Sequence, residues 1–184
     1  TQQLAQILNA DLIGDEQVVD ENINTDTRKA VSNSLFFALK GEHFDAHQYL
    51  DKAVEQGATA LVVQQANTEI ATPQLVVADT RLALGKLAKW LREKINPRTV
   101  AMTGSSGKTT VKEMTASILQ QTAGNAEAVL FTNGNFNNDI GVPLTLLRLT
   151  ELHKFAVIEL GANHQGEIDY TTHLAQPEAA LVNN

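Results

Sequence analysis

The sequence predicts an α/β protein in two parts: a small α/β domain over residues 1–79, then the first portion of a mainly parallel, Rossmann-like sheet over residues 80–184. Two observations carry that reading. Short apolar runs such as Leu35-Phe36-Phe37-Ala38-Leu39 and Phe155-Ala156-Val157-Ile158 alternate with segments whose apolar residues recur at spacings of three and four. That is the pattern of buried strands joined by helices. In addition, only the short break at Asn96-Pro97 separates a long helical pattern from the next apolar run. Proline disfavours helix in the residue before it, so the helix ends there, belongs to the second domain, and puts the domain boundary near residue 79.

In order along the chain, Leu4, Ile7 and Leu8 sketch a first helix, stopped near Asn9 and a turn over residues 11–14. Residues 23–26 are extended, and residues 35–39 read as a buried strand bounded by Ser34 and by Lys40-Gly41. A helix over 46–56 turns Tyr49, Leu50 and Ala53 inward and stops at Gly57. Residues 60–63 and 75–77 are further strands. Asp79 or Thr80 caps a helix whose apolar stripe is Leu84, Leu87, Ala88, Leu91 and Ile95. Val100-Ala101-Met102 is the next strand, followed by a glycine-framed turn and a helix with Val111, Met114, Thr115, Ile118 and Leu119 on one face. Residues 122–128 read as a surface loop and 129–132 as a strand. A helix has Pro143 in its first turn, and residues 155–159 and 179–182 are strands.

The 184 residues, 43% hydrophobic and 19% charged, suit a globular chain with a real core. A net charge of −7 with no Lys/Arg block argues against a nucleic-acid surface. The absence of cysteine excludes disulfides and thiolate metal sites and fits the cytoplasm. No apolar run approaches the ~18 residues of a membrane span, so no membrane insertion is expected. The chain begins at Thr1 and stops at Asn184 directly after a strand, which predicts a processed or recombinant fragment whose second domain is incomplete.

The chemistry centres on Thr103-Gly104-Ser105-Ser106-Gly107-Lys108-Thr109-Thr110. Strand, glycine turn and helix start form a phosphate-binding loop, with backbone N–H groups and the helix dipole turned toward an anion. Lys108 would reach the terminal phosphates, and the Thr109 hydroxyl would ligate Mg²⁺. The general motif has four residues between its glycines, whereas Gly104 and Gly107 have two, and Met102 stands where the first glycine would be. Glu159 ends an apolar strand downstream, as a second Mg²⁺ ligand would. The run over residues 133–141 is either a tight loop tolerating left-handed backbone or a set of amides, on Asn135, Asn137 and Asn138, for phosphate, sugar or a second substrate. Residues 161–167 follow Glu159 at the sheet edge where such folds bind ligands. There His164 is open to structural, metal-binding, acid–base or hydrogen-bonding readings. The other histidines, His43, His47, His153 and His173, lack metal-like spacing. In the first domain, residues 26–28 and 40–47 bracket a strand with donor-rich turns whose role the residues leave open.

Taken together, these motifs resemble the Mur ligases, ATP-dependent amide-bond ligases of peptidoglycan synthesis. The shortened loop at residues 103–109 has that family's form. Thr25-Asp26-Thr27-Arg28, Ala38-Leu39-Lys40-Gly41 with Asp45 and His47, the run from Gly134 to Pro143, and Val157-Ile158-Glu159-Leu160-Gly161-Ala162-Asn163-His164 are similar to one branch of it. That branch joins D-alanyl-D-alanine to UDP-N-acetylmuramoyl tripeptide. The resemblance implies that the first domain holds the uridine nucleotide, through Thr27, Arg28 and the turn Lys40-Gly41-Glu42-His43-Phe44. It implies that Gly104 to Thr110 hold ATP, that Thr109 and Glu159 hold Mg²⁺, and that Lys108 and Glu159 are catalytic. It further implies an acyl-phosphate intermediate, a C-terminal domain beyond Asn184, and a fragment that is inactive alone. Another phosphate-loop nucleotidase or kinase, or a non-catalytic nucleotide-sugar module, remains the alternative.

Overall fold

The structure is a computed structural model and describes residues 1–20, 22–41 and 44–184. The chain divides into two compact units, Thr1–Lys86 and Leu87–Asn184.

In the first unit, helix α1 (Gln2–Leu8) ends at Asn9, which takes the left-handed conformation at φ 55°. Strands β1 (Asp11–Ile13), β2 (Ile23–Asn24), β3 (Ser34–Phe37), β4 (Ala58–Val63) and β5 (Gln74–Val76) form one sheet in the order β1-β5-β4-β3-β2. All its pairs are parallel except β1 with β5. The turn expected at residues 11–14 is therefore wrong over 11–13. Pairing with β5 satisfies that backbone, and its three mostly exposed residues carry no apolar alternation to read. The helix expected over 46–56 is two pieces, a 3-10 turn Ala46–Tyr49 and α2 (Leu50–Glu55). Asp45 caps the first piece by accepting from the His47 N–H at 3.0 Å. Phe36, Ala38, Leu50, Ala53, Leu61 and Val63 make a core on one face of the sheet.

Helix α3 (Thr80–Ile95) begins in the first unit and ends in the second. Its start is tied down by Thr80, whose buried hydroxyl donates to the Ala38 carbonyl at 2.9 Å. The second unit continues with β6 (Arg98–Gly104), α4 (Lys108–Ala123), a 3-10 turn Ala126–Ala128, β7 (Val129–Phe131), α5 (Gly141–Leu146), β8 (Phe155–Glu159), α6 (Glu167–Ala175) and β9 (Ala179–Asn183). Its sheet is wholly parallel in the order β7-β8-β6-β9. Neighbouring strand residues face opposite layers. Ala101, Leu130 and Ile158 pack with Val142, Leu146 and Leu174, whereas Met102, Val129 and Val157 pack with Ala116 of α4.

Two expectations for this unit are corrected. Met114 and Ile118 are not on the inner face of α4 but 61% and 62% exposed, while Lys112 and Ala116 are buried. Apolar periodicity cannot register an inward arc that passes through a lysine. Residues 122–128 are not simply loop: α4 runs to Ala123, and Ala128, the last residue of the 3-10 turn, is buried. Helix α6 has no clear apolar stripe to announce it. Its marks are the dipole-matched carboxylates Glu167 and Asp169 in the first turn. Strand β9 lies at the sheet edge with Leu181 and Val182 exposed. Among the described residues no helix is long and apolar enough to cross a membrane.

Candidate active site

Strand β6 delivers the chain into the loop of residues 104–107 at the C-terminal edge of the sheet. Gly104 has φ 134°, and a Cβ there would collide with the backbone of Asn183 on β9. Only glycine fits a strand end that close to its neighbour. Ser105 N–H donates to Asn183 O at 3.2 Å, while Ser105, Ser106 and Gly107 are exposed. Gly107, at φ 74°, begins the 16-residue α4, and among the described residues no side chain caps that end. Its first-turn N–H groups are therefore available to an anion, aided by the helix dipole. Lys108 curls back over the loop, its Nζ donating to Gly104 O at 2.6 Å. An exposed Thr110 follows Thr109 in the first turn.

Glu159, 2% exposed at the end of β8, brings three segments together. Thr109 Oγ1 donates to its Oε2 at 3.1 Å and Asn137 Nδ2 to its Oε1 at 2.8 Å. Its backbone N–H donates to Thr132 Oγ1 at 2.9 Å. Gly161 N–H then donates to Asn137 O at 2.7 Å, so the asparagine is held from both ends of its residue. The carboxylate and the hydroxyl are hard oxygen donors suited to Mg²⁺, which usually takes one or two protein groups and completes its shell with phosphate and water, while Asn137 turns its Nδ2 to the carboxylate. Among the described residues no cluster of three His, Cys, Asp or Glu side chains could hold a metal unaided. The donor set therefore fits a Mg²⁺ ion that arrives with a nucleotide.

The remaining candidates in this unit do other things. Asn138 Oδ1 accepts the N–H groups of Gly141 at 2.7 Å and Ile140 at 3.3 Å, fixing the start of α5. Asn135 is exposed, with its carbonyl accepting from the Asn137 N–H at 2.8 Å. His164 is exposed on the loop before α6, and Glu167 closes that loop by accepting from the Asn163 N–H at 2.7 Å. Apolar pattern and motif both pass over Lys112 and Thr132, the second of which bonds the Glu159 backbone. Lys112 Nζ donates to Thr132 O at 2.7 Å.

In the first unit a cleft of about 600 Å³ is lined by Thr25, Asp26, Thr27, Arg28, Phe44, Tyr49 and Lys52. Asp26 takes Arg28 in a two-point fork, Nε to Oδ1 at 2.8 Å and Nη2 to Oδ2 at 2.9 Å. Those bonds hold the Asp26 carboxyl down to a pKa of about 2 and raise that of the exposed Arg28. Phe44 and Tyr49 stack at 5.5 Å and 9°. Tyr49, expected inside the domain, is instead 41% exposed on the cleft wall. Tyr49 and Lys52 are the members that sequence reasoning misses, since a helix pattern does not reveal what its first turns face. Lys40 stands apart from this group. It lines a second cavity of about 450 Å³ with Asp45 and His47, 3.6 Å from Asp45 Oδ2. His47 is fully engaged there: Nδ1 lies 2.6 Å from Asp45 Oδ1, and Nε2 accepts the Gln64 N–H at 2.9 Å. The His47 N–H bond lowers the Asp45 pKa. Gly41 N–H donates to Phe44 O at 2.7 Å and closes the turn. Glu42 and His43 lie outside the described residues.

Comparison with known proteins bears on both units. Residues 21–92 match the Mur ligase family, catalytic domain, and residues 102–184 match the Mur ligase middle domain. The chain is 83% identical over 184 residues to a UDP-N-acetylmuramoyl-tripeptide–D-alanyl-D-alanine ligase of Haemophilus influenzae, matching all of this chain and 40% of that one. It is 59% identical over 182 residues to the ligase of the same name from Escherichia coli, covering 99% of this chain and 39% of the other. Among solved structures, MurF from Acinetobacter baumannii superimposes with a TM-score of 0.90 at 47% identity, over 98% of this chain and 40% of that one. MurF from Thermotoga maritima in complex with ADP gives 0.77 at 28% identity, over 88% and 36%. The chain thus spans about 40% of the length of these curated relatives.

Proposed function

The chain belongs to the Mur ligase family, and from that premise we propose that it is part of an ATP-dependent ligase joining D-alanyl-D-alanine to UDP-N-acetylmuramoyl tripeptide in peptidoglycan synthesis. The first unit takes the uridine nucleotide and the second takes ATP. The observation that carries the reading is the meeting of Thr109, Asn137 and Glu159 beside an uncapped helix start.

Lys108 exchanges the Gly104 carbonyl for a terminal phosphate oxygen, and the loop N–H groups take the other phosphates. The Thr109 hydroxyl and the Glu159 carboxylate would hold Mg²⁺, with Asn137 keeping Glu159 in place. Mg²⁺, when bound, neutralises phosphate charge as the phosphoryl group moves. A peptide carboxylate oxygen then takes that phosphoryl group and ADP leaves. The dipeptide amine attacks the acyl carbon, losing a proton, and inorganic phosphate departs as the amide forms. Arg28 supplies paired donors to the substrate diphosphate or uracil carbonyls, Phe44 with Tyr49 offers an aromatic wall, and Thr27 lines the same cleft. Asn135 and His164, exposed on the loops after β7 and β8, are the proposed contacts of the second substrate, while Asn138 supports that loop through the Ile140 and Gly141 N–H groups. A consumer of ATP and a uridine nucleotide works in the cytoplasm, where both are made.

The test is phosphate release by the protein at the length of its relatives. Release that requires both the UDP-peptide and D-alanyl-D-alanine supports the ligase. Release without the dipeptide indicates a nucleotidase or kinase, and nucleotide binding without release a non-catalytic module.

A further inference from the structure

Lys112 lies one helical turn beyond Lys108 and is 1% exposed. A buried ammonium is costly unless its protons find acceptors, and an apolar chain of similar volume would fill the space without that cost. Packing alone does not explain a lysine here. Its Nζ donates to Thr132 O at 2.7 Å, pairs with Glu113 Oε1 at 2.9 Å and sits 5.9 Å from the centre of the Phe131 ring.

Thr132 is the junction. Its N–H donates to Val157 O at 3.1 Å, its hydroxyl accepts the Glu159 N–H, and its carbonyl accepts Lys112. Thr109 and Lys112 are three residues apart on α4 and so share a face. Thr109 bonds the Glu159 carboxylate, Lys112 bonds the Thr132 carbonyl, and Thr132 bonds the Glu159 backbone. These four residues close a circuit through α4 and the ends of β7 and β8.

We infer that Lys112 is a positioning residue for the Mg²⁺·nucleotide site, fixing the start of α4 against the end of β7 so that the Thr109 hydroxyl and the Glu159 carboxylate stay in register. The inference rests on the proposed nucleotide function of that site. Lys112 touches neither nucleotide nor metal, and it acts through Thr132.

The experiment compares ADP binding by calorimetry with and without Mg²⁺, in the protein at the length of its relatives, for wild type and Lys112→Met. Outer-shell partners of a metal site typically contribute about 10- to 100-fold to its affinity. Lys112→Met should accordingly lose about ten-fold or more of the Mg²⁺-dependent gain in ADP affinity. Its Mg²⁺-free ADP affinity and its UDP affinity should be unchanged. A general structural defect would lower all three together, and that outcome overturns the inference. If Lys112→Met does not fold, Lys112→Gln decides. Its neutral amide stays polar but ends one bond short of the Lys112 Nζ that donates to the Thr132 carbonyl, so it should show the same selective loss. A wild type whose ADP affinity ignores Mg²⁺ brings down the site reading and this inference together. A Mg²⁺-dependent wild type matched by the folded variant brings down the role of Lys112 alone.

Discussion

The two candidate sites are built on opposite plans. The phosphate-loop site is made of strand ends: Gly104, Glu159 and Thr132 sit at the termini or just past the ends of adjacent parallel strands, and a 16-residue helix starts at the loop. Its key carboxylate is buried and bonded by Thr109 and Asn137, with the Thr132 hydroxyl taking its backbone N–H. The cleft of the first unit is made of side chains on turns, with Arg28 84% exposed and Phe44 and Tyr49 both exposed. The first plan fixes its groups before a ligand arrives. The second leaves its groups exposed, held only by the Asp26 fork and the Phe44–Tyr49 stack, so further ordering on binding costs free energy.

If that contrast is right, substitutions in the two regions should separate by size and by substrate. Lys108→Ala should have the largest effect, lowering turnover by ~10²–10³ because a preorganised charge on phosphate is lost. Circular dichroism should show an unchanged fold, and near wild-type turnover would remove the phosphate-loop assignment. Glu159→Gln keeps shape and loses charge. We expect the Mg²⁺ concentration for half-maximal turnover to rise about 10- to 100-fold, and an unchanged Mg²⁺ titration would take Glu159 out of the metal site. Arg28→Ala should raise the KM for the UDP-peptide by about ten-fold, the scale of a hydrogen bond to a charged group, and leave the KM for ATP as it was. Equal rises in both would assign Arg28 to folding.

The smallest effect concerns pH. The folded pKa of Asp26 is depressed to about 2 from 3.8 by Arg28. Its contribution to stability is therefore complete above the unfolded value and fades as pH falls from there toward 2. Exposure of the pair screens it heavily. Asp26→Asn should thus melt like wild type at pH 7 to within about 1 kcal/mol, and the gap between them should narrow further at pH 3. A gap that widens on acidification would mean that the fork is not what holds this turn.

The same contrast explains what can be read without coordinates. A phosphate loop needs glycines at fixed places, a strand before it and a helix after it, so Gly104, Gly107, Lys108 and Thr109 announce themselves in sequence. Glu159 is visible as a charge closing an apolar run. Lys112 is hidden because its partner is a backbone carbonyl, which leaves no trace in residue types. Asn135, Asn137 and Asn138 read alike, yet of the three only Asn137 bonds the Glu159 carboxylate, while Asn138 accepts the Ile140 and Gly141 N–H groups. In the first unit, Lys40 and Phe44 are four residues apart and read as one group. In the structure Lys40 lines one cavity and Phe44 another. Strand β1 escapes a sequence reading because its pairing with β5 is decided some 60 residues away.

The central claim is that the two regions hold different nucleotides by independent means. It is tested most directly by titrating Mg²⁺·ADP and UDP separately into wild type, Lys108→Ala and Arg28→Ala, at the length of the relatives. The account predicts a crossed pattern: Lys108→Ala loses Mg²⁺·ADP and keeps UDP, and Arg28→Ala loses UDP and keeps Mg²⁺·ADP. Loss of both ligands in either folded variant, or retention of both in both variants, would contradict it.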